Sequence, residues 1–514
     1  MIGTLDGDLR ASAAARPEHT AVIARSKRLT YRELDERVEE LARRLRALGV
    51  TRGDRVAVVM RSSGEAAVAI YAILRAGAAF VPLNPTAKEA KLRHLLAHCE
   101  AAAVMCDADV AERVRSVGAY VDALGHVLVS GAESWTVGAG ADPGAPFGDI
   151  LDVDMASIIY TSGSTGVPKG AVFLHRNMHF VSSSIIKYLG LHGDDRILCV
   201  LPLSHTYGLY QLIMSVRVGA TLVLENGMTF PGQIVNALEQ EQITVLPGVP
   251  TVWHVLVSLQ GLAERELPHL RLLTNAGAAL SAARVADVRR TFPHADLLSM
   301  YGQTECKRVC YLPADQIEAR PDSVGFPIPG TEAWIENERG EVAGPGEVGE
   351  LMIRGDHVMQ GYWRDAEGTA AKLKPGRFPG DRLLCSGDLF RRDEDGYLYF
   401  VSRTDDIITS RGEKIAPGEV ERVLYAIDGV REAAVMGAPD DRLGEAVIAH
   451  VSLAAGSALD EKVLRRLCAA ALEDFMVPKR VVIHGELPKT DNGKLDRLTL
   501  MQVREQDAQA PVLR

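Results

Sequence analysis

A run of glycine, serine and threonine residues that ends in a lysine is the first feature of this chain that could do chemistry. It reads Tyr160-Thr-Ser-Gly-Ser-Thr-Gly-Val-Pro-Lys-Gly170 and follows an apolar stretch over residues 156–159. Gly163 and Gly166 let the backbone approach an anion closely with its N–H groups turned inward. Lys169 adds a positive charge, and hydroxyl donors come from Thr161, Ser162, Ser164 and Thr165.

The pattern predicts a phosphate-binding loop after a strand. Its spacing is not that of a Walker loop. The alternative is a flexible Ser/Gly linker, but the Pro-Lys-Gly end and the preceding apolar run are not typical of one.

Other segments downstream carry further polar and charged side chains among small residues. They are Leu201-Pro-Leu-Ser-His205, Asn275-Ala-Gly-Ala-Ala-Leu280, Tyr301-Gly-Gln-Thr-Glu305, Ser386-Gly-Asp388, Val401-Ser-Arg403 and Leu487-Pro-Lys-Thr-Asp-Asn-Gly-Lys494. Each has an ordinary structural alternative. A lone histidine is usually a satisfied core residue, and a glutamate or lysine in a glycine turn is usually solvated.

The elements that must position these segments alternate between helix and strand. Apolar residues recur at spacings of four and three over residues 30–48, and Gly49 follows, so the pattern predicts a helix there. Apolar runs at 55–60 and 79–83 predict buried strands, with a helical stretch between them that ends at Arg75. Such alternation indicates βαβ units and a largely parallel sheet.

The chain is too long for one hydrophobic core, since it has 514 residues. We predict an α/β fold with a large N-terminal domain over residues 1–404, made of α/β subdomains and a small β-rich subdomain at about 330–400. A small α+β C-terminal domain follows over residues 405–514. Residues 133–147, rich in Gly, Ala and Pro, are expected to form a surface loop.

Composition excludes several classes of protein. The net charge of −10 and the absence of a dense Lys/Arg tract disfavour nucleic acid as a partner. Seven scattered cysteines fit neither a secreted disulfide framework nor a zinc site. No signal peptide is visible, and the most apolar stretch, at 66–83, is too short and interrupted to span a membrane. We therefore expect a cytoplasmic protein; the oligomeric state cannot be read from the sequence.

The phosphate loop and the segments after it, in this order, resemble the acyl-adenylate-forming superfamily. That superfamily comprises acyl-CoA synthetases, luciferases and the adenylation domains of peptide synthetases. The resemblance runs from Leu29-Thr-Tyr-Arg-Glu-Leu34 to Lys494. It implies that a carboxylic acid is joined to AMP from ATP, with Mg²⁺, and that the acyl group then passes to a thiol of CoA or of the phosphopantetheine on an acyl carrier protein.

The resemblance also implies roles in the adenylation step. Tyr301 would stack on adenine next to Gly302, Thr304 would donate to the α-phosphate, and Glu305 would bind Mg²⁺. Lys494 would reach the carboxylate and the α-phosphate. Further positions implied at the nucleotide and the acid are Gly277, Ala278 and Ala279 beside adenine, Asp388 and Arg403 at the ribose, and His205 beside the acid.

The C-terminal domain of this superfamily turns between the two steps, and Asp405 matches its hinge. Gly412 in Thr409-Ser-Arg-Gly-Glu-Lys-Ile415 matches the hairpin that lines the thiol channel. Relatives often carry Lys where this chain has Thr409, and Gly where it has Ser402.

The acid pocket of the resembling enzymes would include Thr206, Tyr207 and Trp253 here. Amino-acid-activating relatives keep an aspartate after the pocket histidine, and residues 206–209 contain none, so an α-amino acid is disfavoured. Lys307 and Arg308 either face the acid and favour a second polar or anionic group on it, or form a solvated basic turn.

Three functions are compatible with these residues. The first is an acid–thiol ligase. The second is an adenylating enzyme that passes the acyl group to an amine or to oxygen. The third is a non-catalytic nucleotide-binding relative, which the presence of both Glu305 and Lys494 disfavours.

Overall fold

The computed structural model describes residues 3–25, 27–131, 135, 149–161, 168–228, 230–411, 413–440, 442–454, 456–489, 495–497, 499 and 500. The chain divides into two compact units. One comprises Met1–Ala333 and Ile353–Leu384, and the other comprises Trp334–Met352 and Cys385–Arg514. The domain boundary predicted between residues 404 and 405 stays a prediction, and most of the predicted surface loop at 133–147 lies outside the described residues.

The first unit contains a six-stranded sheet in the order β6-β5-β3-β4-β7-β8. All neighbouring strands are parallel except β7 and β8, which form an antiparallel pair. The strands are β3 (Arg55–Val59), β4 (Ala79–Pro82), β5 (Ala101–Cys106), β6 (His126–Val129), β7 (Met155–Thr161) and β8 (Lys169–Leu174). Its connecting helices are α3 (Gly64–Arg75), α4 (Glu89–His98) and α5 (Ala111–Gly118).

A second sheet of the first unit has the order β2-β1-β10-β9-β11-β12-β13-β14-β15. Its central strands, from β1 through β13, are parallel, whereas β2, β14 and β15 return antiparallel. The strands are β1 (Thr20–Ala24), β2 (Lys27–Thr30), β9 (Arg196–Cys199), β10 (Thr221–Leu224), β11 (Val245–Gly248), β12 (Leu272–Asn275), β13 (Asp296–Tyr301), β14 (Cys310–Leu312) and β15 (Ser323–Pro327). Its helices are α1 (Leu5–Ala15), α2 (Tyr31–Ala47), α6 (His175–Leu189), α7 (Thr206–Val218), α8 (Pro231–Gln240), α9 (Pro250–Val257) and α10 (Ala282–Thr291).

The early elements confirm the periodicity argument. Helix α2 buries the leucine and valine stripe that predicted it. Its start is fixed by a capping box, in which Thr30 accepts from the Glu33 backbone and the Glu33 carboxylate accepts from the Thr30 N–H at 2.8 Å. Helix α3, in contrast, is buried on every side, in keeping with its nearly continuous apolar sequence.

Short strands follow, as the glycine turns after residue 330 predicted. They are β16 (Glu332–Glu336), β17 (Gly349–Arg354), β18 (Leu373–Pro375), β19 (Arg382–Arg392) and β20 (Leu398–Arg403), with helix α11 (Ala366–Lys372) between β17 and β18. The order β16-β17-β19-β20 places them side by side. The β-rich texture of this region is therefore confirmed.

The C-terminal part of the second unit has its own five-stranded sheet. Four strands run in the order β22-β21-β24-β23, and β25 pairs with β24 in parallel. The elements are β21 (Ile408–Ser410), β22 (Glu413–Ile415), α12 (Pro417–Tyr425), β23 (Val430–Asp440), β24 (Gly444–Leu453), α13 (Glu461–Ala471) and β25 (Arg480–His484). Both helices contribute to one apolar core with the sheet, through Val420, Leu424 and Leu464.

All seven cysteines are buried, and none of them is in a disulfide. No helix among the described residues is long and apolar enough to cross a membrane. The cytoplasmic location expected from the sequence stays a prediction.

Candidate active site

Four parallel strands of the larger sheet end at a common edge. They are β9, β11, β12 and β13, which are neighbours in that order. His205, Trp253, Gly277 and Tyr301, one for each strand, lie at or soon after these carboxyl ends. Ligands of open α/β sheets bind outside the carboxyl ends of the strands. The topology therefore gathers segments that are far apart in the sequence at one edge.

The Tyr301-Gly-Gln-Thr-Glu305 segment forms a tight turn between β13 and β14. The Lys307 N–H donates to the Gln303 carbonyl at 2.7 Å, and Lys307 itself has a left-handed φ of 65°. A Cβ on Gly302 would stand 2.2 Å from the Lys307 carbonyl oxygen, so glycine is required there. Tyr301, Gly302 and Thr304 are half-buried.

Glu305 is fixed by a residue that sequence reasoning did not single out. Its side chain is buried, and its Oε1 accepts a hydrogen bond of 2.7 Å from the Tyr362 hydroxyl. The Glu305 carbonyl also accepts from the Met359 N–H at 2.8 Å. One contact therefore positions a carboxylate oxygen, and the other holds the Glu305 backbone.

The predicted phosphate loop is described at its two ends. Thr161 and Lys169 are paired across the antiparallel β7 and β8, and Ser162, Gly163, Ser164, Thr165 and Gly166 lie outside the described residues. The Lys169 Nζ lies 3.4 Å from Asp365 Oδ2 and 5.2 Å from the centroid of the Tyr362 ring. Tyr362 therefore contacts both the predicted phosphate-loop lysine and, through its hydroxyl, Glu305.

Asp365 begins helix α11 and holds Lys169 at the same time. Its Oδ1 accepts from the Gly368 N–H at 2.7 Å. The Gly368 N–H and the Lys169 ammonium lower the pKa of Asp365, so the carboxylate is ionised at neutral pH. An anion that competes for Lys169 would have to replace this contact.

The segment predicted to flank adenine is open to solvent. Gly277, Ala278 and Ala279 are exposed, and Gly277 has a φ of 91° that favours glycine. Asn275 secures the turn, since its Nδ2 donates to the Ala278 carbonyl at 2.9 Å while its Oδ1 accepts from Trp253 Nε1 at 3.1 Å. A side-chain-poor, exposed backbone fits a surface that receives a flat ligand.

The predicted acid-pocket residues lie deeper. Trp253 is fully buried, and its ring lies so close to Gly248 that a Cβ there would stand 2.6 Å away. His205 occupies the position immediately before α7, and Thr206 and Tyr207 are the first residues of that helix. The Tyr207 hydroxyl is within 2.7 Å of the Thr274 hydroxyl at the end of β12.

Lys307 and Arg308 are both buried, at 6% and 2% exposure, which does not fit a solvated basic turn. The Lys307 Nζ stands 5.2 Å and 4.8 Å from the ring centroids of Tyr207 and Tyr210. Burial, and then the charge of Arg308, lower the pKa of Lys307 well below its usual value.

In the second unit, Asp388 and Arg403 face each other across the β19–β20 ladder. The Arg403 Nε lies 3.6 Å from Asp388 Oδ1. Asp388 is buried, whereas Arg403 and Asp405 are exposed. Gly412 and Lys494 lie outside the described residues.

Sequence reasoning missed Tyr362 and Asp365 beside the phosphate loop, and Tyr188 and Tyr210 beside the two buried cations. Tyr362 and Asp365 stand in the segment Gly361-Tyr-Trp-Arg-Asp365. Its two aromatic residues and its acid, next to a glycine, were the only sequence features that could have marked these residues as part of the site. Tyr188 and Tyr210 lie within apolar helices and carry no signal of their own.

Most of the sequence matches known family models. The profile "AMP-binding enzyme" matches residues 9–363, and "AMP-binding enzyme C-terminal domain" matches residues 419–494. A feruloyl-CoA synthase of Amycolatopsis sp is 36% identical over 488 residues, which cover 94% of this chain and 95% of that protein.

Two solved structures have the same fold. ATP-bound MatB from Rhodopseudomonas palustris has a TM-score of 0.90 at 28% identity, covering 98% of this chain and 99% of that one. The amide bond synthetase McbA from Marinactinospora thermotolerans has a TM-score of 0.87 at 28% identity, covering 97% and 99%.

The chain belongs to the AMP-binding enzyme family. It is an ATP-dependent, AMP-forming carboxylic acid ligase that makes an acyl-adenylate and transfers the acyl group to a thiol. The resemblance read from the sequence and the predicted fold class are thereby confirmed.

Proposed function

We propose that this enzyme uses Mg·ATP to activate a carboxylic acid at the carboxyl ends of β9, β11, β12 and β13, and that CoA is the thiol acceptor. The observation that carries the proposal is the position of Tyr362. Its hydroxyl donates to Glu305 at 2.7 Å, and its ring lies under the Lys169 ammonium. Tyr362 therefore contacts both Glu305, the carboxylate proposed to bind the metal, and Lys169, the cation proposed to bind the phosphates.

Glu305 fits Mg²⁺. This ion is usually bound by one or two carboxylates together with the phosphates of the substrate. The Tyr362 hydrogen bond positions Oε1 of this carboxylate, as a second ligand-orienting contact does in many metal sites. When bound, the ion would offset the negative charge of the phosphates.

In the first step, an oxygen of the acid attacks the α-phosphorus of ATP and pyrophosphate leaves. Two anions must meet, so cations are needed to offset their repulsion. We assign this role to Lys169 and Lys494, with Thr304 as a donor to the α-phosphate and His205 beside the acid. Tyr301, Gly277, Asp388 and Arg403 are proposed for adenine and ribose.

In the second step, the thiol sulfur attacks the acyl carbon and AMP leaves. We propose that Asp405 is the hinge and Gly412 the thiol channel. CoA is preferred to a carrier protein because a feruloyl-CoA synthase aligns with 94% of this chain over 95% of its own length.

Pyrophosphate release over a panel of carboxylic acids, with and without CoA, tests the proposal. We expect acid-dependent release and, with CoA, an acyl thioester. Lys494→Ala should reduce acid-dependent ATP–pyrophosphate exchange by about 10²–10³-fold, as expected from loss of one charge contact made in the transition state, while ATP binding persists. Exchange at the wild-type rate in this variant would refute the role of Lys494.

Amide formation is the second candidate, favoured by the likeness to the amide bond synthetase. The same panel with ammonia or a primary amine in place of CoA distinguishes the two. An amide product with no thioester would overturn the CoA assignment and leave the adenylation step standing.

A further inference from the structure

The position of Lys307 and Arg308 in the fold sets them apart from the groups assigned to ATP. They follow the turn that carries Glu305, but they point away from solvent, toward helices α6 and α7. Both cations lie against Tyr207, whose hydroxyl donates to the Thr274 carbonyl at the end of β12, three residues before the exposed turn at 277–279. A ligand that presents its carboxylate at the nucleotide would therefore extend its distal end toward them.

Both cations are surrounded by tyrosines. The Lys307 ammonium faces the rings of Tyr207 and Tyr210, and the Arg308 guanidinium lies 5.4 Å from the centroid of the Tyr207 ring. Burial raises the pKa of Tyr188, and the charge of Arg308 together with a hydrogen bond from its side chain to the Tyr188 hydroxyl opposes that rise. These aromatic faces attract a cation but carry no compensating charge.

No carboxylate within the described ranges forms an ion pair with either cation. The Nε of Arg308 is buried without a hydrogen-bond partner, and the neighbours of Lys307 Nζ are the rings of Tyr207 and Tyr210. A guanidinium stays protonated in proteins, so its charge cannot be removed by losing a proton. A buried charge without a partner of opposite charge is unfavourable, and an anionic ligand can supply that opposite charge.

We propose that the acid this enzyme activates carries a second anionic group, a carboxylate or its equivalent, at the end remote from the reacting carboxylate, and that Lys307 and Arg308 bind it. A guanidinium offers two parallel donors that match the two oxygens of a carboxylate. An anion beside Lys307 stabilises the protonated form of the lysine, which then adds a point charge when the ligand is bound. The inference rests on the proposed function, since it names the substrate class of the same site.

The test compares acids that differ only in the distal group. Pairs of butanoic and butanedioic acid, hexanoic and hexanedioic acid, and benzoic and benzene-1,4-dicarboxylic acid are supplied with Mg·ATP and CoA. The monomethyl ester of each diacid keeps its length but removes the second charge. Pyrophosphate release gives kcat/KM for each acid.

For at least one pair, we expect the diacid to exceed both the monoacid and the monoester by roughly 10²-fold or more, because a site built for a polar group rejects analogues that leave it unpaired. Lys307→Met and Arg308→Met should reduce this ratio at least tenfold. Lys187 is an exposed lysine on α6, and Lys187→Met is the matched control. This variant should leave the ratio of diacid to monoacid kcat/KM unchanged.

The outcomes are separable. Pyrophosphate release with neutral acids at rates equal to or above those of every diacid refutes the anion site and leaves the ligase function intact. A diacid preference that persists in both methionine variants also refutes it. The ester comparison needs no variant, so the inference stays testable if a variant fails to fold. Absence of release with any carboxylic acid would refute the proposed function, and the inference falls with it.

Discussion

Replacing Lys307 with methionine should stabilise the first unit in a pH-dependent way. Methionine fills a similar volume, so the packing change itself is worth less than about 1.5 kcal/mol and does not depend on pH. Burial, and then Arg308, lower the pKa of Lys307 in the folded state. An unfolded lysine has a pKa of about 10.4.

The sign follows from proton binding. Above about pH 10.4 the lysine is neutral in both states, and its ionisation contributes nothing. As the pH falls, the unfolded chain takes up a proton that the folded chain does not, so the wild type loses stability. The loss is about 1.4 kcal/mol per pH unit until the folded-state pKa is reached. Lys307→Met lacks this loss, so its advantage in unfolding free energy should grow from pH 10 to 9 to 8.

Urea denaturation followed by tryptophan fluorescence measures the difference, because the buried Trp253 reports on this unit. Other titrating groups are shared by the two proteins and cancel in the comparison. Lys187→Met is the control and should show no pH-dependent advantage. A difference between Lys307→Met and wild type that is constant over this range would mean that Lys307 stays charged in the fold, and the reasoning from burial would be refuted.

Three further variants test other parts of the site. Tyr362→Phe removes the hydrogen bond to Glu305, which is worth about 1.5 kcal/mol for a bond to a charged group. We therefore expect kcat/KM for Mg·ATP to fall about tenfold and the Mg²⁺ concentration needed for half-maximal activity to rise. An unchanged Mg²⁺ dependence of ATP–pyrophosphate exchange would contradict this. Gly302→Ala places a Cβ 2.2 Å from the Lys307 carbonyl oxygen and should lower the same exchange by roughly 10²-fold or more by displacing the turn; near wild-type exchange would show that the turn tolerates a side chain. Asp405→Pro should preserve either adenylation or acyl transfer within about tenfold, but not both, because proline restricts φ at the proposed hinge; measuring both half-reactions separately decides it, and equal retention would place the hinge elsewhere.

Local signals predicted the elements well. The helix expected over residues 30–48 is α2 (Tyr31–Ala47), because a stripe of buried leucines and a capping box are both written within one short segment. The signals that predicted strands at 55–60 and 79–83 also lie within single short segments. The antiparallel returns of β8, β14 and β15 were not predicted, since strand direction depends on pairing between segments that the sequence does not mark.

The sequence identifies candidate site residues where they stand in a motif, and it gives no sign of the contacts that other residues make with them. Glu305 stands in a recognisable motif, but its partner Tyr362 is 57 residues further along the chain. The burial of Lys307 and Arg308 was also invisible, because a charged pair in a turn has the same sequence whether the turn faces water or helices α6 and α7. Only the fold decides between these two environments.

The cations of the site should differ in their kinetic effects, because they are proposed to contact different parts of the substrate. Lys169 and Lys494 are proposed to act on the phosphates and the reacting carboxylate, where charge is redistributed as the acid attacks phosphorus. Lys307 and Arg308 would contact a distal group whose charge does not change during the reaction. Such a contact is equally strong in the ground state and the transition state, so its loss should raise KM and leave kcat nearly unchanged. Loss of Lys494 should instead lower kcat. A fall in kcat alone for Arg308→Met would mean that the guanidinium serves the reacting end of the acid, which would reverse the orientation of the substrate proposed from its burial.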